Sequence, residues 1–267
     1  MKHKSFFKNA MLLLCFFGSS LLFAQQEINT SFGTQINSVF AGVDKTRITH
    51  KLLIDYAMEF TELSAYNGVL TNENVVLKGH YTDIYNTLLM ARVTTNVPSL
   101  VSPTVFETNW ENNRMPNKIV LSGLYYKYNK IKDNAAPNLI TSTNNKLYDK
   151  FVNGVWQNPY DEKQVFAVAS QIEKFNDLTV NVELPSTLWY TNQSSNVASI
   201  AIDFGNGLGY QNLGFGQVKT VTYAQKGIYE WKYKLTLTNN QVLYSHSKIE
   251  IDGTSSIRKS YSQRFNN

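Results

Sequence analysis

The residues able to do chemistry are few and widely spaced. Beyond the first 24 residues there are three histidines, His50, His80 and His246, and none has a second ligand at metal-binding spacing. There is no Gly-x-Ser-x-Gly turn to expose a nucleophile, no His-Glu-x-x-His pair, no phosphate loop and no Gly-x-Gly-x-x-Gly fingerprint. The single cysteine, Cys15, sits inside an N-terminal apolar run. Paired carboxylates are the remaining route to hydrolysis. Asp55, Glu59 and Glu62 fall at i, i+4 and i+7, which puts them on one face of a predicted helix. A glycosidase needs two carboxyls ~5–9.5 Å apart across a cleft. The same spacing, with Lys51 and Thr61 interspersed, describes the solvated face of an amphipathic helix. Asp203, Asn206 and the carbonyls of 203–209 present oxygens to calcium, or else the two side chains cap their own Gly-rich turn. No catalytic, cofactor-binding or metal-ligating residue is assigned.

Aromatic side chains offer a different function, contact with a partner. Trp110, Trp156, Trp189 and Tyr160 are the residue types that stack on sugars or anchor protein interfaces. Trp189, in the segment LWYTN, and Trp231, on an apolar strand face, read as core. Trp156 lies in VNGVWQNPYDE (152–162), a polar loop-like stretch with an Asn-Pro pair. Trp156 and Tyr160 are therefore the candidate contact residues.

The elements that must hold these residues divide the chain. Residues 25–98 read as helical. Ile36, Val39, Phe40 and Val43 form one helical stripe, and Leu52, Leu53, Tyr56 and Phe60 a second. Tyr81, Ile84, Leu88 and Ala91 form a third, with Thr82 or Asp83 placed to cap its start. TNEN (71–74) is a turn, and Pro98 and Pro103 mark a break. Residues 99–164 are a mixed connecting region in which KIVLSGLYYKYNKI (118–131) has the aromatic content of a strand. From 165 to 251 the pattern is β. Leu178, Val180, Val182 and Leu184 alternate with polar residues, as do Ile200, Ile202 and Phe204. Tyr229, Trp231, Tyr233, Leu235 and Leu237 form the longest alternating run, which implies one buried and one wet face. GNGLG (205–209) and GFG (214–216) are turns, and about seven short strands fit, near the number in an immunoglobulin-like sandwich. Residues 252–267 are a polar tail.

Residues 1–24 have the order of a cleaved signal peptide: Lys2, Lys4 and Lys8, an apolar stretch from Met11 to Phe23, and the small residue Ala24. The apolar stretch is shorter than the ~20 residues of a membrane span. Its loss removes three of the 25 basic residues, leaving 22 against 20 acids. That near balance removes the electrostatic motive for nucleic-acid binding, which needs clustered Lys and Arg. No other stretch is apolar enough to span a membrane. With 43% apolar, 13% aromatic and only 17% charged residues, the chain is not a disordered one. The mature chain has no cysteine, so an exported fold must be held by packing alone.

Two segments carry a family resemblance. IDFGNGLGY (202–210) resembles the strand and turn xDFGDGxG of PKD domains, which are immunoglobulin-like. VTYAQKGIYEWKYKLTLTN (221–239) is similar to that family's VxHxYxxxGxYxVxLxVxN, with Tyr223 at its aromatic position and Gly227 and Tyr229 as its Gly-x-Tyr. Asn206 replaces the second Asp, and Trp231 and Tyr233 are bulkier than usual. The style of the whole chain, in YNTLLMAR and LWYTN, resembles N-terminal regions of secreted surface proteins of Gram-negative bacteria that use type IX secretion. These resemblances imply a helical region followed by a PKD-like sandwich, α+β overall. The implied role is that of a secreted, non-catalytic surface module, or a fragment of a larger one, that contacts a glycan or a surface protein. The alternative is the accessory part of a secreted hydrolase whose catalytic domain lies elsewhere.

Overall fold

A computed structural model describes residues 30–253 and places them in a mixed helix and strand protein. The expected signal peptide, 1–24, and all but two residues of the polar tail lie outside the described residues.

The centre of the molecule is β1 (Lys118–Ile131), and its sequence explains why. Almost every residue from Ile119 to Asn129 is buried, so the strand is apolar on both faces and does not alternate. On one edge it pairs antiparallel with β6 (Tyr160–Ser170) through eleven residue pairs. On the other edge lie, end to end and both parallel to it, β8 (Thr179–Glu183) and β9 (Trp189–Thr191). An edge strand, β12 (Val218–Thr222), completes this sheet by pairing with β8. Gly123 of β1 is required by packing: a Cβ there would lie 2.7 Å from the Trp189 ring.

A second sheet runs β11-β10-β13-β14-β7. Its strands are β10 (Val197–Asp203), β11 (Tyr210–Asn212), β13 (Gly227–Leu237), β14 (Val242–Ile251) and the short β7 (Lys174–Phe175). β7 is parallel to β14, and the other pairs are antiparallel. The two sheets share one core. Ile119, Leu121, Tyr125, Phe166 and Val168 of the first meet Ile202, Phe204, Trp231, Tyr233 and Leu235 of the second. Trp231 is fully buried, stands edge-on to Phe204 and donates its indole N–H to the Tyr223 hydroxyl at 2.8 Å.

The opposite face of β1 and β6 carries Val120, Leu124, Tyr126, Tyr128, Val165, Ala167 and Ala169. It is covered by α2 (Lys78–Met90) and α3 (Pro103–Asn112). Tyr81, Ile84, Leu88 and Ala91 are all buried here, as their helical stripe predicts. The start of α2 differs from expectation. It begins at Lys78, ahead of Thr82 and Asp83, with the His80 side chain accepting the Leu77 N–H at 3.3 Å.

The other two helical stripes are corrected. Residues 52–60 are not a helix. Leu52 and Leu53 are both fully buried, but in different cores. Extended backbone sends neighbouring side chains to opposite sides, and here Leu52 bridges Arg92 while Leu53 bridges Asn129. Only Ile54–Tyr56 forms a helical turn, and Phe60 is exposed. In the first stripe, α1 (Thr30–Val39) ends before Phe40 and Val43, which are buried from the turn that follows. The boundary expected between 164 and 165 falls inside β6, and the core shared by the two sheets draws on β1, far upstream.

Candidate contact surface

β1 and β6 close on the pair Ile131 and Tyr160, and residues 132–159 form the connection between them. Two small hairpins fill it. β2 (Ile140–Thr143) and β3 (Lys146–Asp149) turn at Asn144-Asn145, and β4 (Phe151–Val152) and β5 (Val155–Trp156) turn at Asn153-Gly154. All four turn residues have positive φ, between 50° and 78°. That is the condition for a two-residue type I′ hairpin turn, and Asn and Gly meet it with least strain. Underneath, Ala135, Ile140, Leu147 and Tyr160 pack on Phe40, Val43, Ile48, Leu53 and Tyr56, a third and smaller core.

The outer side of this connection is apolar and exposed among the described residues. Phe151 is 52% exposed, Val152 46% and Val155 64%, and Tyr148 is also exposed. The Arg47 guanidinium lies 4.9 Å from the centre of the Trp156 ring and 5.6 Å from that of Phe151, so one cation spans both rings. Arg47 is itself paired with Asp44 at 3.1 Å. Asp149 ties the assembly together, accepting the Trp156 indole N–H at 2.9 Å and the Asp44 amide at 2.7 Å. Trp156, Arg47, Asp44 and Asp149 thus form an aromatic and charged base under an exposed apolar ribbon.

The two residues singled out from sequence occupy different positions. Trp156 is half-buried at the base of the ribbon, with its ring under Arg47. Tyr160 is buried and offers no contact surface. Burial, with a smaller contribution from the charges of Asp149 and Asp44, pushes its hydroxyl well above the usual tyrosine range. The residues that sequence reasoning missed are Tyr148, Phe151, Val152, Val155 and Arg47. A signal for Phe151, Val152 and Val155 was present, because Asn-Gly between valines is a strong short-range hairpin mark; Tyr148 belongs to the other hairpin, which turns at Asn144-Asn145. Arg47 is remote in sequence and carried none.

The other candidates are dispersed. Asp55 is partly buried, and its carboxylate accepts the Ile131 amide at 2.7 Å. Burial raises its pKa, opposed by that hydrogen bond and by Lys130. Burial likewise raises Glu59. Glu62 is exposed and takes a hydrogen bond from Ser64; with no helix at 52–60 the three carboxylates do not share a helix face, although the charges of Asp55 and Glu62 also act on Glu59 and all three act on Tyr128. His50 contacts Glu162 at 2.7 Å, and His246 is buried between Glu230 at 2.6 Å and Asn74 at 2.9 Å. Among the described residues no group of three or more His, Cys, Asp or Glu could hold a metal ion. Asp203 accepts the Gly205 amide at 3.0 Å and Asn206 the Leu208 amide at 3.4 Å, so each side chain caps its own turn. Trp110 and Trp231 are buried, and Trp189 is half-buried beside Phe215. A groove lined by Ile36, Asn37, Tyr56, Arg92 and Val93 encloses about 170 Å³. That is below the ~300 Å³ at which small-molecule sites begin. No described helix is long and apolar enough to cross a membrane. No family model matches the chain, and no curated protein matches it significantly.

Proposed function

We propose that this chain is an exported, non-catalytic interaction module. In this reading an immunoglobulin-like, PKD-like sandwich serves as scaffold and the connection 132–159 makes the contact. The scaffold half rests on strand order and on one local device. The order β11-β10-β13-β14-β7, with β7 parallel to β14, fits the larger sheet of such a sandwich, and β8 and β12 fit the facing one. Tyr229, at the start of β13, donates its hydroxyl to the Gln225 carbonyl four residues upstream at 2.6 Å. That is the geometry of the tyrosine corner of immunoglobulin-like domains. β1 and β6 then extend the smaller sheet and join it to the helices.

The observation that carries the functional half is the ribbon of Phe151, Val152 and Val155. Three large apolar side chains are held out in solvent on paired strands, over an ordered aromatic and cationic base. Exposed apolar residues grouped in this way mark interaction sites, whereas single ones do not. The partner class is a glycan or a surface protein. The test is binding of the labelled mature chain to a glycan array and to the surface of producing cells. A Phe151→Ser, Val155→Ser double variant should lose binding while its melting temperature stays unchanged. Full binding by that variant would refute the contact assignment.

A further inference from the structure

The sequence contains three Asn-Gly pairs, Asn67-Gly68, Asn153-Gly154 and Asn206-Gly207. Two of them are the same triplet, since both Asn67 and Asn153 are followed by Gly and Val. Asn-Gly is where an asparagine is open to attack by its own chain. The glycine amide nitrogen, unhindered by a Cβ, adds to the asparagine Cγ. An N–Cγ bond forms, the Cγ–Nδ2 bond breaks, and the amide proton is passed on through solvent as ammonia leaves. Water then opens the five-membered imide at either carbonyl, giving aspartate or isoaspartate. Attack requires the peptide between the two residues to rotate away from its folded orientation. Identical triplets can therefore react at very different rates in a folded chain.

The geometry points to Asn153 as a selective site of spontaneous deamidation. Its surroundings differ from those of Asn67 in every respect that matters. Asn153 and Gly154 are both exposed, and a Cβ on Gly154 would have nothing within 4 Å. The Asn153 side chain makes no hydrogen bond among the described residues. β4 and β5 join through only two residue pairs and form a sheet of their own, so opening the turn costs little. Gly68, in contrast, is buried against β14. A Cβ there would be 2.5 Å from Leu243, and its carbonyl accepts the Tyr244 amide at 2.9 Å. The Asn67 side chain is also occupied, accepting the Val69 amide at 3.0 Å. Rotating the peptide between Asn67 and Gly68 would tear that segment from the sheet. Asn206 is intermediate. Gly207 is exposed, but the Asn206 amide is tied by two long hydrogen bonds, to Leu208 at 3.4 Å and Thr222 at 3.5 Å.

The product changes the ribbon. Aspartate places a negative charge between Val152 and Val155. Isoaspartate also adds a backbone atom to the two-residue turn, which the type I′ geometry cannot accommodate. The assignment stands on the chain's own chemistry and does not depend on the ribbon being a contact surface.

The experiment incubates the purified chain in mildly alkaline buffer, which promotes loss of the glycine amide proton. Samples are digested over time and followed by peptide mass spectrometry, with enzymatic methyl transfer to mark isoaspartate. In the folded chain the peptide holding Asn153 should gain about one dalton several-fold faster than that holding Asn206, and the Asn67 peptide should stay unmodified. In urea, Asn67 and Asn153 should react at equal rates, because their triplets are identical. Asn153→Gln should remove the fast phase alone. Reaction of Asn67 as fast as Asn153 in the folded chain would overturn the proposal, and so would an Asn153 that is stable folded but reactive in urea.

Discussion

The two faces of β1 and β6 are buried by opposite means. Toward the second sheet the covering residues come from strands, in strict alternation from Tyr229 to Leu237 on β13 and less regularly on β14, where Ser245, His246 and Ser247 are all buried. Toward the N-terminal half the cover is a set of aromatic side chains from short helices and turns. Phe106 stacks on Tyr85 at 4.1 Å and lies 5.5 Å from both Trp110 and Tyr190. Polar atoms divide less sharply. The sheet side satisfies its buried hydroxyls in pairs, Tyr223 with Trp231 and Tyr233 with Ser247. The helical side also bonds its tyrosines, Tyr81 with Ser122 and Tyr85 with the Val101 carbonyl, but leaves the Trp110 indole N–H buried without a hydrogen bond, at a cost in free energy. Because both covers act on the same two strands, they are expected to unfold together.

The strongest way to break that comparison is to empty each core in turn. Trp231→Ala and Phe106→Ala each remove a fully buried ring and should cost ~3–5 kcal/mol. Such a loss is large beside the ~5–15 kcal/mol of a whole domain. Both variants should shift one cooperative transition when circular dichroism and tryptophan fluorescence are followed in denaturant. Two separated transitions in Phe106→Ala would show that the helical cover folds independently of the sheets.

A smaller effect separates the two sides by pH. Asp55, on the helical side, has its pKa raised by burial, opposed by the Ile131 amide. The folded state then holds that proton more tightly, so Asp55 adds stability as pH falls toward 3.8 and withdraws it as pH rises through the folded value. Glu230, on the second sheet, is raised by burial but lowered further by its hydrogen bond from His246 and the charge of Lys232, for a net decrease. Its stabilisation is present above 4.5 and is lost as pH falls through the lower folded value. Glu230→Gln should flatten the acid limb of the stability profile, and Asp55→Asn should flatten the fall that follows it. Unfolding midpoints measured across acidic pH decide this, and equal slopes in both variants and the parent would contradict the assignment.

The smallest expected effect tests strand register. Lys232 adjoins Trp231 but points outward, with a partly exposed pairing to Glu230 at 3.4 Å. Lys232→Ala should change stability by less than ~0.5 kcal/mol. A loss larger than that of Trp231→Ala would exchange the two faces of β13.

Local sequence determined the elements whose environment is one-sided. The alternation of Tyr229 to Leu237 and the stripe from Tyr81 to Ala91 each require one buried and one wet face, and both were legible. So were the turn roles of Asp203 and Asn206, because an Asx side chain reaches backbone two residues on without help from the rest of the fold. Tertiary structure decided whatever is buried from two directions or assembled from distant segments. β1 does not alternate, since helices cover one face and a sheet the other, and nothing within 118–131 says what either cover is. Leu52 and Leu53 mimic a helical stripe because both are buried, yet they enter different cores. Tyr160 reads as a loop aromatic but is sealed under Leu147 and Phe40. Arg47 meets Trp156 only because the connection 132–159 folds back on the N-terminal segment. Finally, two identical Asn-Gly-Val triplets become unlike sites because β14 presses on one and solvent surrounds the other. A triplet fixes its own bond chemistry, but the freedom of its peptide to rotate is set by what packs against it.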